Sequence, residues 1–357
     1  MKISLKIKIY LMFSFLNLIY RKNTQKNYKV GVIGLRHEVN IGNNLIKYAI
    51  SIKLKELGFT PFIIGTHFQN LNITFLKKNT NCIIINQNFT EVKRNDYDIL
   101  MINSDQTWRR FDKHFYDYGF LKFAENWNIP KFVYGASIGY DYWQLTKDDE
   151  NMAKLLLKNF TGISVREKGT IQLIKNHLGI KPLLVLDPTL LIDKKYYLKL
   201  IRNYKSNNSK YENYIFSYLI IPENNTLNFI KQACEQLKYK NHQVEMEEQN
   251  SIEKFIYEIS NSKAVITNSF HGTIFSIIFN KPFISFIFKD SPKERLYTLK
   301  SLFKFEKRII EYNEHPDINL LKTSLNINET LMELMKKQSI NYLKMNLEIK
   351  KNDFFYK

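Results

Sequence analysis

The sequence predicts an α/β protein with two parallel-sheet domains, and three observations carry that prediction. From Tyr28 onward, short apolar runs alternate with helical stretches at the spacing of βαβ units. The alternation halts at 203–213, NYKSNNSKYEN, a polar stretch with the character of a linker, and then restarts. The chain has 357 residues, 44% of them apolar and 14% aromatic, enough for two full cores and too apolar for disorder. The resulting architecture is two Rossmann-like domains facing a cleft. They span 28–202 and 214–325 around the linker, with an extension at 1–27 and a helical tail at 326–357.

The first strand, 29–34 (KVGVIG), is a short apolar run ending in glycine. After a polar loop, a helix is expected over 43–57. Asn43 or Asn44 can cap it, Leu45, Ala49, Ile52 and Leu57 supply an apolar face, and Gly58 ends it. Further strands are expected at 62–64, 82–85, 98–103, 131–136, 162–165 and 183–186, with helical pieces between most of them. Beyond the linker come a strand at 214–220, helices at 226–238 and 252–260, and a strand at 264–268. A helix from Gly272, a strand at 283–288 and a helix near 293–303 complete this half. The tail from 328 to about 347 reads as a long basic helix, and no internal repeat is visible.

Lys and Arg number 53 against 34 Asp and Glu, a net charge of +19 that calls for an anionic partner or surface. The excess is scattered lysine without a dense basic block or a nucleic-acid-binding signature, so it favours a membrane surface or acidic small molecules over DNA or RNA. Cys82 and Cys234 build neither a disulfide framework nor a CxxC site, and a reducing cytoplasm is the natural setting. Residues 1–22 hold an apolar core over 9–20, flanked by Lys2, Lys6, Lys8, Arg21 and Lys22. That core falls short of the roughly 20 residues of a spanning helix. It suits a helix on an anionic membrane surface, or equally one docked on the protein itself.

Open α/β sheets bind ligands beyond the carboxyl ends of their strands, beside helix N-termini that favour anions. Four loops stand there. The first, 34–44 (GLRHEVNIGNN), offers Arg36 and His37 for anions, and Asn43 and Asn44 for hydroxyls or as plain caps; it is not a GxGxxG fingerprint. The second, NSDQTW at 103–108, offers Ser104 and Asp105 as acceptor and potential base, Gln106 for hydroxyls and Trp108 as a flat face for a sugar. An Asx-type turn is its plainer alternative. In the third, SVREK at 164–168, Arg166 can grip a carboxylate or phosphate through two parallel N–H···O bonds, or simply pair with Glu167 at the surface. The fourth surrounds His271, the one side chain in these strand-end turns beyond His37 with an ordinary pKa near neutrality, suited to proton transfer. Ser269, Gly272 and Thr273 lie beside it, and a buried histidine in a βαβ unit is the alternative. No metal-ligand spacing, GxSxG elbow or P-loop is present, and the E-x7-E spacing of Glu245 and Glu253 is ascribed to chance.

Taken in this order, the loops resemble the polysaccharide pyruvyl transferase family. The matching segments are IGNNLIKYA, NSDQTW, SVREK with Asp187–Leu191 (DPTLL), and SFHGTIFSIIFNKPF at 269–283 followed by a helix bearing Arg295. The resemblance runs from 28 to about 303 and departs from the family pattern at Asn103, where glycine is usual. It implies a fold similar to the GT-B glycosyltransferases and transfer of pyruvate from phosphoenolpyruvate onto sugar hydroxyls, forming a ketal and releasing phosphate. The acceptor it implies is a surface polysaccharide or a lipid-linked precursor, without metal or cofactor. On that resemblance His271 and Asp105 are the catalytic candidates. Arg166, His271, Gly272, Thr273, Arg295, Asn43 and Asn44 would bind the donor, and Ser104, Gln106 and Trp108 the acceptor. The protein would work in the cytoplasm, with residues 1–22 offering contact to the inner membrane face. A nucleotide-sugar glycosyltransferase of the same architecture is the main alternative, and a non-catalytic sugar- or lipid-binding protein is the second.

Overall fold

Strand sequences such as ILMI, and KFVYGA after its first lysine, are continuously buried because both faces of a parallel sheet are covered, so no alternation is needed. The computed structural model describes residues 28–34, 40–66, 70–85, 89–109, 114–204, 213–244 and 251–352. The segment 1–22, Arg36, His37, Glu245 and most of the linker lie outside the described residues. The first sheet comprises β1 (Lys29–Ile33), β2 (Thr60–Thr66), β3 (Cys82–Ile85), β4 (Ile99–Ile102), β5 (Lys131–Ala136), β6 (Gly162–Val165) and β7 (Leu183–Leu184). Its order is 3-2-1-4-5-6-7, with parallel pairing throughout. The second comprises β8 (Tyr214–Tyr218), β9 (Lys240–Gln243), β10 (Ala264–Thr267), β11 (Phe283–Ile287) and β12 (Ile309–Glu311) in the order 12-11-10-8-9, again parallel. Strand order reverses between β1 and β4 in one sheet and between β8 and β10 in the other. Those are the two places where an open α/β sheet leaves a crevice for a ligand.

The helices are α1 (Ile41–Glu56), α2 (Asn70–Asn79), α3 (Phe115–Phe120), α4 (Lys147–Leu157), α5 (Lys168–Leu178), α6 (Lys194–Leu200), α7 (Asn224–Leu237), α8 (Ser251–Asn261), α9 (Phe270–Ile278), α10 (Glu294–Phe303) and α11 (Glu329–Asn352). None of the described helices is long and apolar enough to cross a membrane. Strands β9 and β12 were not expected. In β9 (KNHQ) only His242 is buried, so this edge strand carries no apolar signal.

Two helix starts differ from the sequence reading, and both differences matter for the site. Asn40, not Asn43 or Asn44, caps α1, its side chain accepting from the Asn43 N–H. Ser269 likewise caps α9, accepting from the Gly272 N–H, so His271 lies inside the first helical turn. In each case the cap stands three residues earlier and frees the following polar side chains for tertiary contacts.

One continuous core joins the sheets. Val30, Tyr134, Phe216, Phe275 and Leu343 all belong to it, and smaller apolar clusters fill the outer face of each sheet. The tail helix α11 returns to the first sheet. Tyr342 Oη donates to the Val133 carbonyl at 2.7 Å, Gln338 Nε2 to Leu184, and Ser339 Oγ accepts from the Leu186 N–H. Asn346 accepts from Thr161 and fits over Gly162, where a Cβ would stand 2.4 Å from its Oδ1. Helix α11 therefore straps the end of the chain onto the first sheet. Tyr342→Phe removes one of two side-chain donors to the buried Val133 carbonyl, the other being Ser164 Oγ, and is expected to cost about 0.5–1.5 kcal/mol in urea unfolding.

Candidate functional site

Arg166 follows β6 and is 1% exposed, held between two carboxylates. Its Nη2 lies 2.9 Å from Asp105 Oδ1 and its Nη1 2.5 Å from Asp187 Oδ2. Burial alone would depress its pKa, but Asp187, Asp105 and Glu167 reverse the shift and raise it. Asp105 follows β4 with φ of +135°, a conformation costing about 1–3 kcal/mol for a residue with a Cβ. Its carboxylate is well engaged: Oδ1 also accepts from the Gln106 N–H and Oδ2 from Asn43 Nδ2 at 3.1 Å, which leaves Oδ2 able to accept once more. Burial pushes the Asp105 carboxyl up, yet Arg166, Arg295, His271 and the Gln106 N–H outweigh it and hold it below its usual value. Asp187 accepts from Thr189 N–H and Oγ1 through its other oxygen.

His271 comes from the second sheet, 5% exposed, with Nε2 at 3.8 Å from Asp187 Oδ2 and no hydrogen-bond partner. The far side of its ring rests on Gly42 at the start of α1, where a Cβ would sit 1.9 Å from Nδ1. Burial, opposed by Asp187 and reinforced by Arg166 and Arg295, lowers its pKa to about 4, so the free protein holds a neutral imidazole at pH 7. Arg295, on α10, brings a second guanidinium. Its Cζ lies 5.1 Å from the Phe270 ring, whose centroid is also 4.9 Å from Arg166 Cζ and 5.1 Å from the His271 ring. Burial and the Arg166 charge lower the Arg295 pKa to about 10, so it stays cationic. Arg166 Nε, His271 Nε2 and Arg295 Nε are all buried without hydrogen-bond partners. Buried polar atoms are rarely left unpaired, so three such nitrogens around one ring point to a ligand that supplies acceptors.

The structure therefore unites Asn43, Asp105, Arg166, His271 and Arg295. It treats the remaining candidates differently. Asn44 turns back to donate to the Asn40 carbonyl. Ser104 Oγ donates to Gly135 O and accepts from Arg166 Nη1 at 3.3 Å, supporting the arginine from behind. Gln106 accepts from Arg109. Trp108 is 1% exposed, donates from Nε1 to Gly119 O and stacks on Phe120, so its face is not offered to a sugar. Gly272 and Thr273 point toward the sheet. A Cβ at 272 would meet Thr267 Oγ1 at 2.2 Å, and Thr273 Oγ1 bonds Ser285 Oγ and Ser269 O. The plainer alternative for Arg166, a surface pair with Glu167, does not form: Glu167 is buried and accepts from Ser137, Gly139 N–H and Thr170. Asp187, Gly42 and Phe270 were not singled out from sequence, although each stands inside a quoted motif.

The two halves meet through α5 and α10. The Lys168 N–H donates to Thr298 Oγ1 at 2.9 Å, and the Glu294 carboxylate takes the Gly169 N–H, where a Cβ would stand 2.1 Å from Oε2. Residues of the second half thus satisfy the free amides at the start of α5, directly after Arg166 and Glu167. Arg295 and Arg166 are held at one distance by this clasp. Gly42→Ala forces the His271 ring from its seat. It is expected to destabilise the fold by about 1–3 kcal/mol in denaturant unfolding. The imidazole titration, followed by NMR, should rise toward its ordinary value as burial relaxes.

The fold is similar to those of several proteins solved with UDP or a UDP-sugar bound. Anabaena Alr3699/HepE in complex with UDP and glucose matches with a TM-score of 0.54 at 9% identity, over 91% of this chain and 98% of that one. Staphylococcus aureus MnaA with UDP gives 0.53 at 12% identity, over 91% and 98%. Arabidopsis thaliana UGT89C1 complexed with UDP-L-rhamnose gives 0.52 at 9% identity, over 89% and 98%. At these identities the likeness is one of fold, the GT-B architecture. No curated protein matches the chain significantly. A family model, by contrast, matches residues 40–289, from the cap of α1 to just past β11 and so across both switch points, and by it the chain belongs to the polysaccharide pyruvyl transferase family.

Proposed function

We propose that the protein transfers pyruvate from phosphoenolpyruvate to two hydroxyls of a saccharide, forming a ketal and releasing phosphate. The observation that carries this reading is the set of unpartnered nitrogens of Arg166, Arg295 and His271 around Phe270. The donor has a phosphate and a carboxylate, and a site of this kind offers both guanidinium charge and N–H groups to such oxygens. Arg295 is the main donor cation here, because Arg166 already spends its charge on Asp105 and Asp187. Arg166 fixes those carboxylates and offers Nε.

In this scheme a docked anion offsets the burial that keeps His271 neutral, and its imidazole takes up a proton. His271 then protonates the donor's methylene carbon, leaving the adjacent carbon electrophilic for attack by the first hydroxyl. Loss of phosphate and attack by the second hydroxyl close the ketal. Of the two hydroxyl protons released, one replaces the proton given to the new methyl group and the other accompanies the phosphate. Asp105 stays ionised, stabilises positive charge developing at the electrophilic carbon and orients the attacking hydroxyl. The acceptor belongs to a surface polysaccharide or its lipid-linked precursor, and this donor sets the reaction in the cytoplasm. Residues 1–22 supply contact with the membrane that carries a lipid-linked acceptor.

Phosphoenolpyruvate at about 100 times its Kd would stabilise the fold by about 2.7 kcal/mol, several degrees in a thermal melt. UDP and UDP-sugars are expected to give no shift, and Arg295→Met to remove the one given by phosphoenolpyruvate. Stabilisation by UDP-sugars alone would make the protein a glycosyltransferase instead. At pH 7 donor binding is expected to take up a proton, seen as a calorimetric enthalpy that changes with buffer ionisation heat. His271→Asn should abolish that dependence. Because the bound imidazolium is the productive form, donor affinity should fall as pH rises from the free-state pKa of about 4 and level off above the bound-state pKa.

A further inference from the structure

With Trp108 in the core, a saccharide ring needs another apolar face beside Asp105, and the loop after β5 has one. Tyr140 and Tyr142 pair with ring centroids 5.3 Å apart, and Tyr142 is 55% exposed. A single exposed aromatic needs no explanation. This pair is set in polar surroundings on a fixed base. The Arg109 guanidinium lies 5.0 Å above the Tyr140 ring and donates to Gln106 Oε1 at 3.1 Å. Gln106 directly follows Asp105, so the shelf is joined to the site through one residue of the same loop.

The loop is anchored to both halves. Gly139 takes φ of +83° and donates its N–H to Glu167 Oε2, while its carbonyl accepts from the Glu294 N–H. A Cβ at Gly139 would lie 2.8 Å from Pro292 and 3.3 Å from the Gln106 amide, so only glycine lets the loop pass this close. Lys293 Nζ lies 3.6 Å from Asp141 Oδ2 across the same junction. The tyrosines therefore stand at the rim where the loops after β4, β5 and β11 converge.

We infer that Tyr140 and Tyr142 form an acceptor subsite, in which the C–H face of a hexopyranose stacks on the aromatic pair and Arg109 and Gln106 contact its hydroxyls. Aromatic rings with guanidinium and amide groups at their edge suit a ligand that is apolar on its faces and polar on its rim, and a pyranose has that make-up. The inference rests on the pyruvyl-transfer reading for the reaction, but its test does not. Saturation-transfer NMR on the full-length protein, with methyl glucosides, galactosides and mannosides and with phosphoenolpyruvate present, is expected to show at least one glycoside bound. Tyr140→Ala and Tyr142→Ala should each weaken its binding at least tenfold, and Tyr142→Trp should retain it. The thermal shift given by phosphoenolpyruvate should persist in all three variants. Glycoside binding unchanged in both alanine variants, or absent from the wild type, overturns the subsite. Loss of the phosphoenolpyruvate shift from the wild type overturns the donor reading alone and leaves the subsite to be judged by the glycoside arm.

Discussion

The buried guanidinium of Arg166 is the constraint from which the rest of the site follows. A cation this deep is tolerated only when paired, and removing one partner of such a pair costs about 3–5 kcal/mol. Asp105 and Asp187 meet that demand from the ends of different strands, so β4, β6 and the segment after β7 are held at one mutual spacing. The strained backbone at Asp105 is explained by the same demand: the carboxylate must reach Arg166, the Gln106 N–H and Asn43 together. Asp187 then faces His271 from the other sheet, so this pairing also sets the electrostatics of the candidate acid.

Against this neutralised centre, Arg295 stands out as a cation without an ion pair among the described contacts. Its neighbours on α10, Glu294 and Thr298, fasten onto the first turn of α5, which begins just after Arg166. The two arginines repel each other, and Phe270 between them provides a π-face to both. In the proposed donor site, an anion docked here would gain from Arg295 and relieve that repulsion, although the carboxylates and cations around it nearly balance.

Much of the fold was legible because parallel strands covered on both faces must be apolar along their whole length, as ILMI at β4 and AVIT at β10 are. Strand β9 was not legible, since an edge strand with a single buried histidine has no such pattern. For the site, loop position at strand ends picked out Asp105, Arg166 and His271, which the structure brings together. Trp108 failed by the same reasoning, because nothing local distinguishes a tryptophan facing a cleft from one stacked on Phe120. Gly272 was expected to bind the donor, whereas the space beside its Cα is taken by Thr267. The glycine that makes room for His271 is Gly42, more than two hundred residues away in sequence.

The sequence by itself determined the two alternating βα halves, the polar joint between them and the residue types gathered at the strand ends. Local periodicity and spacing encode these directly. Only the tertiary structure decided that Asp187 completes the Arg166 pairing, that His271 is neutral when free, and that Tyr142, paired with a half-buried Tyr140, rather than Trp108, lies open. Those outcomes depend on burial and on charges brought together from distant segments. Desolvation and Coulomb energy are set by distance in space, and one-dimensional order does not contain it.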